Sequence, residues 1–435
     1  MKAICLNLQA HQPFRFRRYR FFDIGNDHYY YDDFANETTM QKAAKATYLP
    51  TNKILLDLLS QDELDFKINL TLSGLAIEQF ELYAPEVLDS FKALAKTGKV
   101  EFMATPYSYS LASIKSVSLF KEQITKQLDL IKLHFNQVPT VLCNTELVFS
   151  DEIALAAHDM GFEGVLTEGA KHILGWKSPN YLYASAECPE LKMLMRNYAL
   201  CDDLSFRFSN TNWSEYPLTA EKYVSWMCSN PKDDVINLFL GYDVFGGFQS
   251  EGTGIFEFLK SLPFIAKRES DFVFATASEV MKKFSPKSML SVPNPISWSN
   301  EERDLSIWVG NALQNEAFEK LLALENRMIR VNDYALNRDW NCLQACNHLY
   351  LMGKMFYTKL NPHLPYHGFD SPYEAFINYM NILSDFETRL NIFAPEKHGE
   401  EEIDLLSKLL NDKELELEKC QRELNRLKKG SNKKK

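Results

Sequence analysis

The sequence predicts an α/β fold: an incomplete (β/α) barrel of the triosephosphate-isomerase type, then a helical domain, then a terminal coiled-coil-like helix. Three observations carry this reading. Short apolar, β-rich runs recur from Lys2 to Ala275, most of them followed by an amphipathic stretch. Strand signals fade after Pro286 while helical periodicity persists. Apolar residues then return at every seventh position from Ile403 to Leu424.

The first strand covers residues 2–9, an alternating run that leads straight into His11. Strands follow at Asp65–Thr71, Lys99–Ala104, Thr140–Thr145, Gly164–Thr167 and Val235–Leu240, with weaker runs at Lys192–Met195 and Phe272–Ala275. Between them Thr51–Ser60, Pro85–Thr97, Ser118–His134 and Asp151–Gly161 read as helices. Strands alternating with helices of this length predict a parallel sheet covered on both faces. From Glu301 to Leu390 the pattern is helical, and Pro293–Pro295 marks the boundary. The expected division is a barrel over 1–292, a helical domain over 293–395, a heptad helix over 401–428 and a basic tail over 429–435. In the heptad segment Ile403, Leu410, Leu417 and Leu424 form one row, and Leu406, Lys413, Cys420 and Leu427 the second. That seam fits either a coiled coil joining copies into a homo-oligomer through 403–427 or a single helix folded back on the body.

With 46% hydrophobic and 24% charged residues, the 435-residue chain can bury a large core, which excludes a wholly disordered protein. Its 48 basic and 58 acidic residues give a net charge of -10, which argues against nucleic acid or an anionic membrane as the partner. The eight cysteines are scattered, and none forms a Cys-x-x-Cys pair, so reduced structural thiols are expected. No stretch reaches transmembrane length, and the N-terminus lacks the apolar run of a signal peptide, which together predict a cytoplasmic protein. His363 and His367 are four apart, but Pro362 and Pro365 break any helix that would align them, so no metal site is expected. No phosphate-cradling glycine loop, dinucleotide fingerprint or serine nucleophile elbow occurs, and no cofactor is expected.

In a parallel barrel, reactive side chains sit where strands end. The ends here are His11-Gln12-Pro13, Thr105-Pro106-Tyr107, Asn144-Thr145-Glu146, Thr167-Glu168-Gly169 and Gly241-Tyr242-Asp243, so one histidine and three carboxylates converge on one face. Paired carboxylates on such a face suit glycoside hydrolysis, in which one attacks or stabilises the sugar cation and the other protonates the leaving oxygen. A carboxylate that merely caps the next helix is the plainer reading of Glu168. It fits Glu146 less well, because Asp151 is better placed to cap the helix that follows.

These residues resemble glycoside hydrolase family 57, in its alpha-amylase-like branch, from residue 1 to about 392. His11-Gln12-Pro13 is similar to the family's first region, and Cys143-Asn144-Thr145-Glu146-Leu147 to the region that carries its nucleophile. Arg196-Asn197-Tyr198 with Asp202-Asp203, Trp213, Thr253–Leu259, Ser278-Glu279-Val280, Pro295-Ile296-Ser297-Trp298 and Asp370–Phe376 add further matches in the same order. The resemblance implies a seven-stranded incomplete barrel with a helical domain, and retaining chemistry on alpha-glucans such as glycogen, starch fragments or maltooligosaccharides. It implies Glu146 as nucleophile, with His11, Gln12, Asp202 and Trp213 lining the substrate groove.

The departures are as informative as the matches. The family's acid/base is the first Asp of an Asp-x-Glu-x-Phe-Gly segment, which here reads Gly241-Tyr242-Asp243-Val244-Phe245-Gly246. A glycine thus holds the acid position, and Asp243 is the substitute acid/base. An extended chain would put Asp243 on the same face as position 241, with its carboxylate displaced by several ångströms. A histidine of the family's Tyr-His-Ser pattern is Tyr109 here. Two outcomes are therefore expected as alternatives: an alpha-glucan hydrolase or glucanotransferase with an altered acid, or a glucan-binding protein that kept the groove and lost turnover.

Overall fold

The protein is described by a computed structural model that covers residues 2–354 and 368–395, with isolated helical positions at 407, 410, 411, 413 and 417. Among the described residues there are ten strands: β1 (Lys2–Ala10), β2 (Ile68–Leu72), β3 (Val100–Met103), β4 (Val141–Cys143), β5 (Gly164–Glu168), β6 (Leu182–Ser185), β7 (Lys192–Arg196), β8 (Val235–Gly241), β9 (Phe272–Phe274) and β10 (Met289–Leu290). One sheet runs β3-β2-β1-β8, with β9 also on β1, and the other β10-β6-β7-β5-β4. The sheets touch at two seams. Ala104 bridges in parallel to Leu142 beyond β3, and the Asn197 N–H beyond β7 donates to the Asn237 carbonyl of β8 at 2.9 Å. These contacts carry the parallel order around β1-β2-β3-β4-β5-β7-β8, seven strands as expected of the incomplete barrel.

Side-chain alternation fixes which residues look inward. On β1 the even residues Ile4, Leu6 and Leu8 pack in the outer cluster with β2 residues Ile68 and Leu70 and helix residues such as Leu55 and Phe91. Ala3 and Cys5 face the other way, into a smaller cluster with Cys143, Leu166, Leu194 and Phe239. One layer higher the interior turns polar, where Asn7 donates to the Asn237 side chain at 2.6 Å. At the top layer Gln9 stands in register with Gly241. The active face begins there.

Eight of the strands lie where the sequence places them. β6 and β10 were not expected. β6 is antiparallel to β7, with no helix between the two, and stands off the parallel ring, while β10 is only two residues long, so neither carries the strand-then-helix pattern that marks a barrel strand. After β10 the described elements are helices, from Ser306–Val309 onward, with Ala312–Leu322, Tyr334–Leu343 and Pro372–Phe393 the longest. Trp308, Phe318, Trp340 and Phe386 from these helices share one hydrophobic cluster with Leu142, Val165 and Met193, the outward residues of β4, β5 and β7. The C-terminal helices therefore cover part of the barrel's outer wall.

Of the heptad rows, only Leu410, Lys413 and Leu417 fall among the described residues. All three are helical, and the two leucines are 62% and 60% exposed. Ile403, Leu406, Cys420, Leu424 and Leu427 lie outside the described residues, as do His363, His367 and the basic tail. Among the described residues no disulfide joins two cysteines, and six of the seven described cysteines are buried. Among the described residues no helix is long and apolar enough to cross a membrane, and no cluster of metal-ligating side chains occurs.

Candidate active site

Glu146, Asp243, His11 and Gln12 all line one cleft of about 990 Å³ at the C-terminal ends of β1, β4 and β8. The volume is at the upper end of the usual range for small-ligand pockets, so the space exceeds that needed by one small molecule.

Glu146 sits on a tight turn, Thr145–Leu147, in which both Glu146 (φ 52°) and Leu147 (φ 54°) adopt the left-handed conformation. Side-chain-bearing residues enter that region at a cost, and such positions persist only where surroundings hold them. Two side chains do so here. The Asn144 side chain accepts from the Thr145 N–H at 2.9 Å and donates to the Val148 carbonyl at 2.8 Å. The Ser297 hydroxyl donates to the Glu146 carbonyl at 2.8 Å. A short antiparallel bridge between Phe149 and Ile296 brings Ser297 there.

Glu146 is 4% exposed, and its carboxylate is held on both oxygens. Tyr109 donates to Oε1 at 3.0 Å, and Ser299 donates to Oε2 at 3.0 Å. The Tyr109 oxygen also accepts the Glu146 backbone N–H at 3.1 Å and the side-chain amide of Gln9. Burial and the neighbouring Glu146 push the Tyr109 phenol well above its ordinary range, so it stays protonated and donating. Tyr109, which stands where the family pattern has a histidine, thus fixes one oxygen of the carboxylate, as Ser299 fixes the other. Tyr109→Phe is expected to lower kcat by about tenfold to a hundredfold, the worth of a hydrogen bond to a charged group, with KM nearly unchanged. Steady-state kinetics on a maltooligosaccharide reads that split.

Asp243 arrives by a different route from the one expected. β8 ends at Gly241, and Tyr242–Val244 forms a tight turn rather than an extended continuation. The turn folds the Asp243 side chain back over Gly241, so that a Cβ added at 241 would overlap Asp243 Oδ1. An oxygen of the substitute carboxylate therefore occupies the space where a side chain of residue 241 would begin. Glycine at 241 is what leaves that space open. Gly246 (φ 93°) closes the same loop, and a Cβ there would collide with the Ala46 carbonyl. This glycine seats the Asp243 loop against the helical segment that ends at Tyr48.

His11 is held from two sides. Its Nδ1 lies 2.7 Å from the Ser73 hydroxyl and its Nε2 2.8 Å from the Asn347 side-chain oxygen. An amide oxygen can only accept, which puts the proton on Nε2. The imidazole also stacks on Tyr109, with ring centroids 4.2 Å apart. Asn347 lies in the helix Cys346–Leu351, so the C-terminal helices contribute to the cleft wall. Gln12 donates to the Tyr48 hydroxyl at 3.3 Å.

The other two residues expected in the groove are placed elsewhere. Asp202 accepts from Arg196 at 2.7 Å and from Arg303 at 3.1 Å, in a charge cluster that also includes buried Glu168. Trp213 packs against the outer core and edge-on to Trp226 at 6.0 Å. Neither is among the residues that line the cleft. Burial raises the Glu168 carboxyl above its ordinary range, and Arg196 and Arg303 oppose that rise. Glu168 is thus a partner of arginines rather than a free third carboxylate. The cluster braces the catalytic face indirectly, because the Arg196 guanidinium lies 5.0 Å from the Trp298 ring centroid, between Ser297 and Ser299. Gln9, Ser299 and Asn347 are among the polar residues of the site that the sequence left unmarked.

Comparison with known proteins bears on the family and the fold. The family model for glycosyl hydrolase family 57 matches residues 5–293. A Methanocaldococcus jannaschii protein described as "Putative alpha-amylase" is 38% identical over 397 residues, covering 88% of this chain and 84% of that protein. The GH57-type branching enzyme of Pyrococcus horikoshii superposes with a TM-score of 0.64 at 12% identity, covering 91% of this chain and 95% of that one. The 4-alpha-glucanotransferase of Thermococcus litoralis superposes with a TM-score of 0.52 at 17% identity, covering 74% of this chain but only 44% of the longer enzyme.

Proposed function

Because the chain belongs to glycosyl hydrolase family 57, we propose that it is an alpha-amylase-like enzyme that acts on alpha-glucans by a retaining mechanism. The substrates are glycogen, starch fragments or maltooligosaccharides. A Glu146 carboxylate oxygen attacks the anomeric carbon while the protonated Asp243 carboxyl gives its proton to the departing glycosidic oxygen. The sugar is left as an ester of Glu146. Asp243, now a carboxylate, takes a proton from water or from a sugar hydroxyl, whose oxygen then displaces Glu146. Water gives hydrolysis and a sugar gives transfer. Neither step needs a metal or an organic cofactor.

The observation that supports this reading most is the unequal treatment of two carboxylates in one cleft. Glu146 is clamped on both oxygens by hydroxyl donors, as a group that must stay ionised and aimed requires. Asp243 reaches into the space that Gly241 leaves open. Six of the seven described cysteines are buried, which fits structural thiols in a reducing, cytoplasmic setting. The helical, exposed Leu410 and Leu417 support self-association through residues 403–427.

Product analysis after incubation with maltohexaose tests the proposal. Shorter sugars mean hydrolysis, and shorter together with longer sugars mean transfer. No products with glycogen binding retained would mean a glucan binder on a hydrolase frame, and the loss at position 241 would be its cause.

A further inference from the structure

One wall of the cleft is a single helical segment, Asp33–Ala43 continued through Ala44–Tyr48. Phe34, Thr38, Lys42 and Ala46 line the cleft from it at four-residue spacing, with Thr39 beside them, which places them on one face. The opposite face is anchored in the core by Met40 and Ala44. The lining face is therefore made of an aromatic ring, small hydroxyls and one ammonium group, a polar stripe that apolar periodicity could not reveal.

The stripe has direction. Its near end meets the Asp243 loop, because the Ala46 carbonyl is the atom that a Cβ at Gly246 would strike. Its far end is Phe34, twelve residues away or about 18 Å along the axis at 1.5 Å per residue. Phe34 is 81% exposed although it belongs to the cleft wall. Leaving a large apolar ring in water costs free energy that burial under a ligand returns.

Resting on the glucan reading above, we propose that this helix reads chain length. Phe34 is an aromatic platform for a sugar ring remote from the Asp243 turn, and the cleft selects linear maltooligosaccharides of several units over maltose. A pyranose has one apolar face that suits a flat ring, and its hydroxyls suit Thr38, Thr39 and Lys42. Maltose in the reacting position would not reach Phe34.

Isothermal titration on a Glu146→Gln background, which prevents turnover, tests this with maltose and maltohexaose. The expected result is tighter binding of maltohexaose, weakened about tenfold by Phe34→Ala and restored by Phe34→Trp. The maltose constant should move less than twofold. Equal affinity for the two sugars, or a Phe34→Ala variant that binds maltohexaose like its parent, would overturn the chain-length role while leaving a glucan site. No binding of either sugar would remove the glucan reading itself, and the chain-length role with it. If Phe34 instead docks a protein partner, Phe34→Ala leaves both sugar constants unchanged, which also overturns the proposal.

Discussion

Glu146→Gln is expected to reduce turnover of maltooligosaccharides by roughly ten-thousandfold or more, the scale seen when a covalent nucleophile is removed. An amide has neither the charge nor the basicity to form the glycosyl ester. The substitution is isosteric, and both partners of the carboxylate, Tyr109 and Ser299, are hydroxyls that can turn from donor to acceptor. The fold and the sugar affinity should therefore survive. A melting temperature within a few degrees of the parent, together with retained glycogen binding, separates loss of chemistry from loss of structure. Activity within tenfold of the parent would show that the nucleophile lies elsewhere.

Asp243→Asn carries the second large effect, and its size should depend on the leaving group. With an ordinary maltooligosaccharide the departing oxygen needs a proton, and losing the acid costs roughly a hundred- to ten-thousandfold. With an activated aryl maltoside the leaving group departs as a stable anion, so the loss in the first step should be far smaller. Equal losses on both substrates would mean that Asp243 supports the turn rather than supplying a proton. Gly241→Ala probes the same point from the other side. Its methyl group would take the space that Asp243 Oδ1 occupies, displacing the carboxylate. Misplacement by about 1 Å can cost on the order of a hundredfold, and that is the expected fall in kcat/KM.

The strand ends were legible because a parallel barrel imposes two simple rules, alternation along strands and chemistry at their C-terminal ends. Those rules bring His11, Gln12, Glu146 and Asp243 into one cleft from sequence positions more than 230 residues apart. What they could not supply is the network between these groups. Asn347 reaches His11 across 336 residues of chain from a helix whose register no strand pattern dictates. Ser299 reaches Glu146 from a loop. Gln9 faces inward by strand parity, yet only the position of Tyr109, itself in the left-handed conformation at φ 54°, gives its amide a partner.

Position 109 shows the hazard of reading departures one at a time. A histidine replaced by tyrosine looks like decay, but the hydroxyl here both aims Glu146 and receives Gln9, the register partner of Gly241. The changes at 109 and 241 lie on one connected face. Asp202 illustrates the opposite case: it sits where a groove residue was expected in sequence, but two arginines hold its charge. Neutralising either arginine would leave a poorly solvated carboxylate, which is why that cluster reads as bracing.

The central claim is that Glu146 becomes covalently bonded to sugar while Asp243 handles the proton. Intact-protein mass spectrometry on Asp243→Asn, mixed with alpha-maltosyl fluoride, tests it most directly, because fluoride leaves without an acid and the slowed second step lets the ester accumulate. The expected result is an added mass of one maltosyl unit, mapped by peptide digestion to the segment containing Glu146 and absent from the Glu146→Gln, Asp243→Asn double variant. An adduct on another residue, or fluoride release with no adduct and inversion at the anomeric carbon, would contradict it.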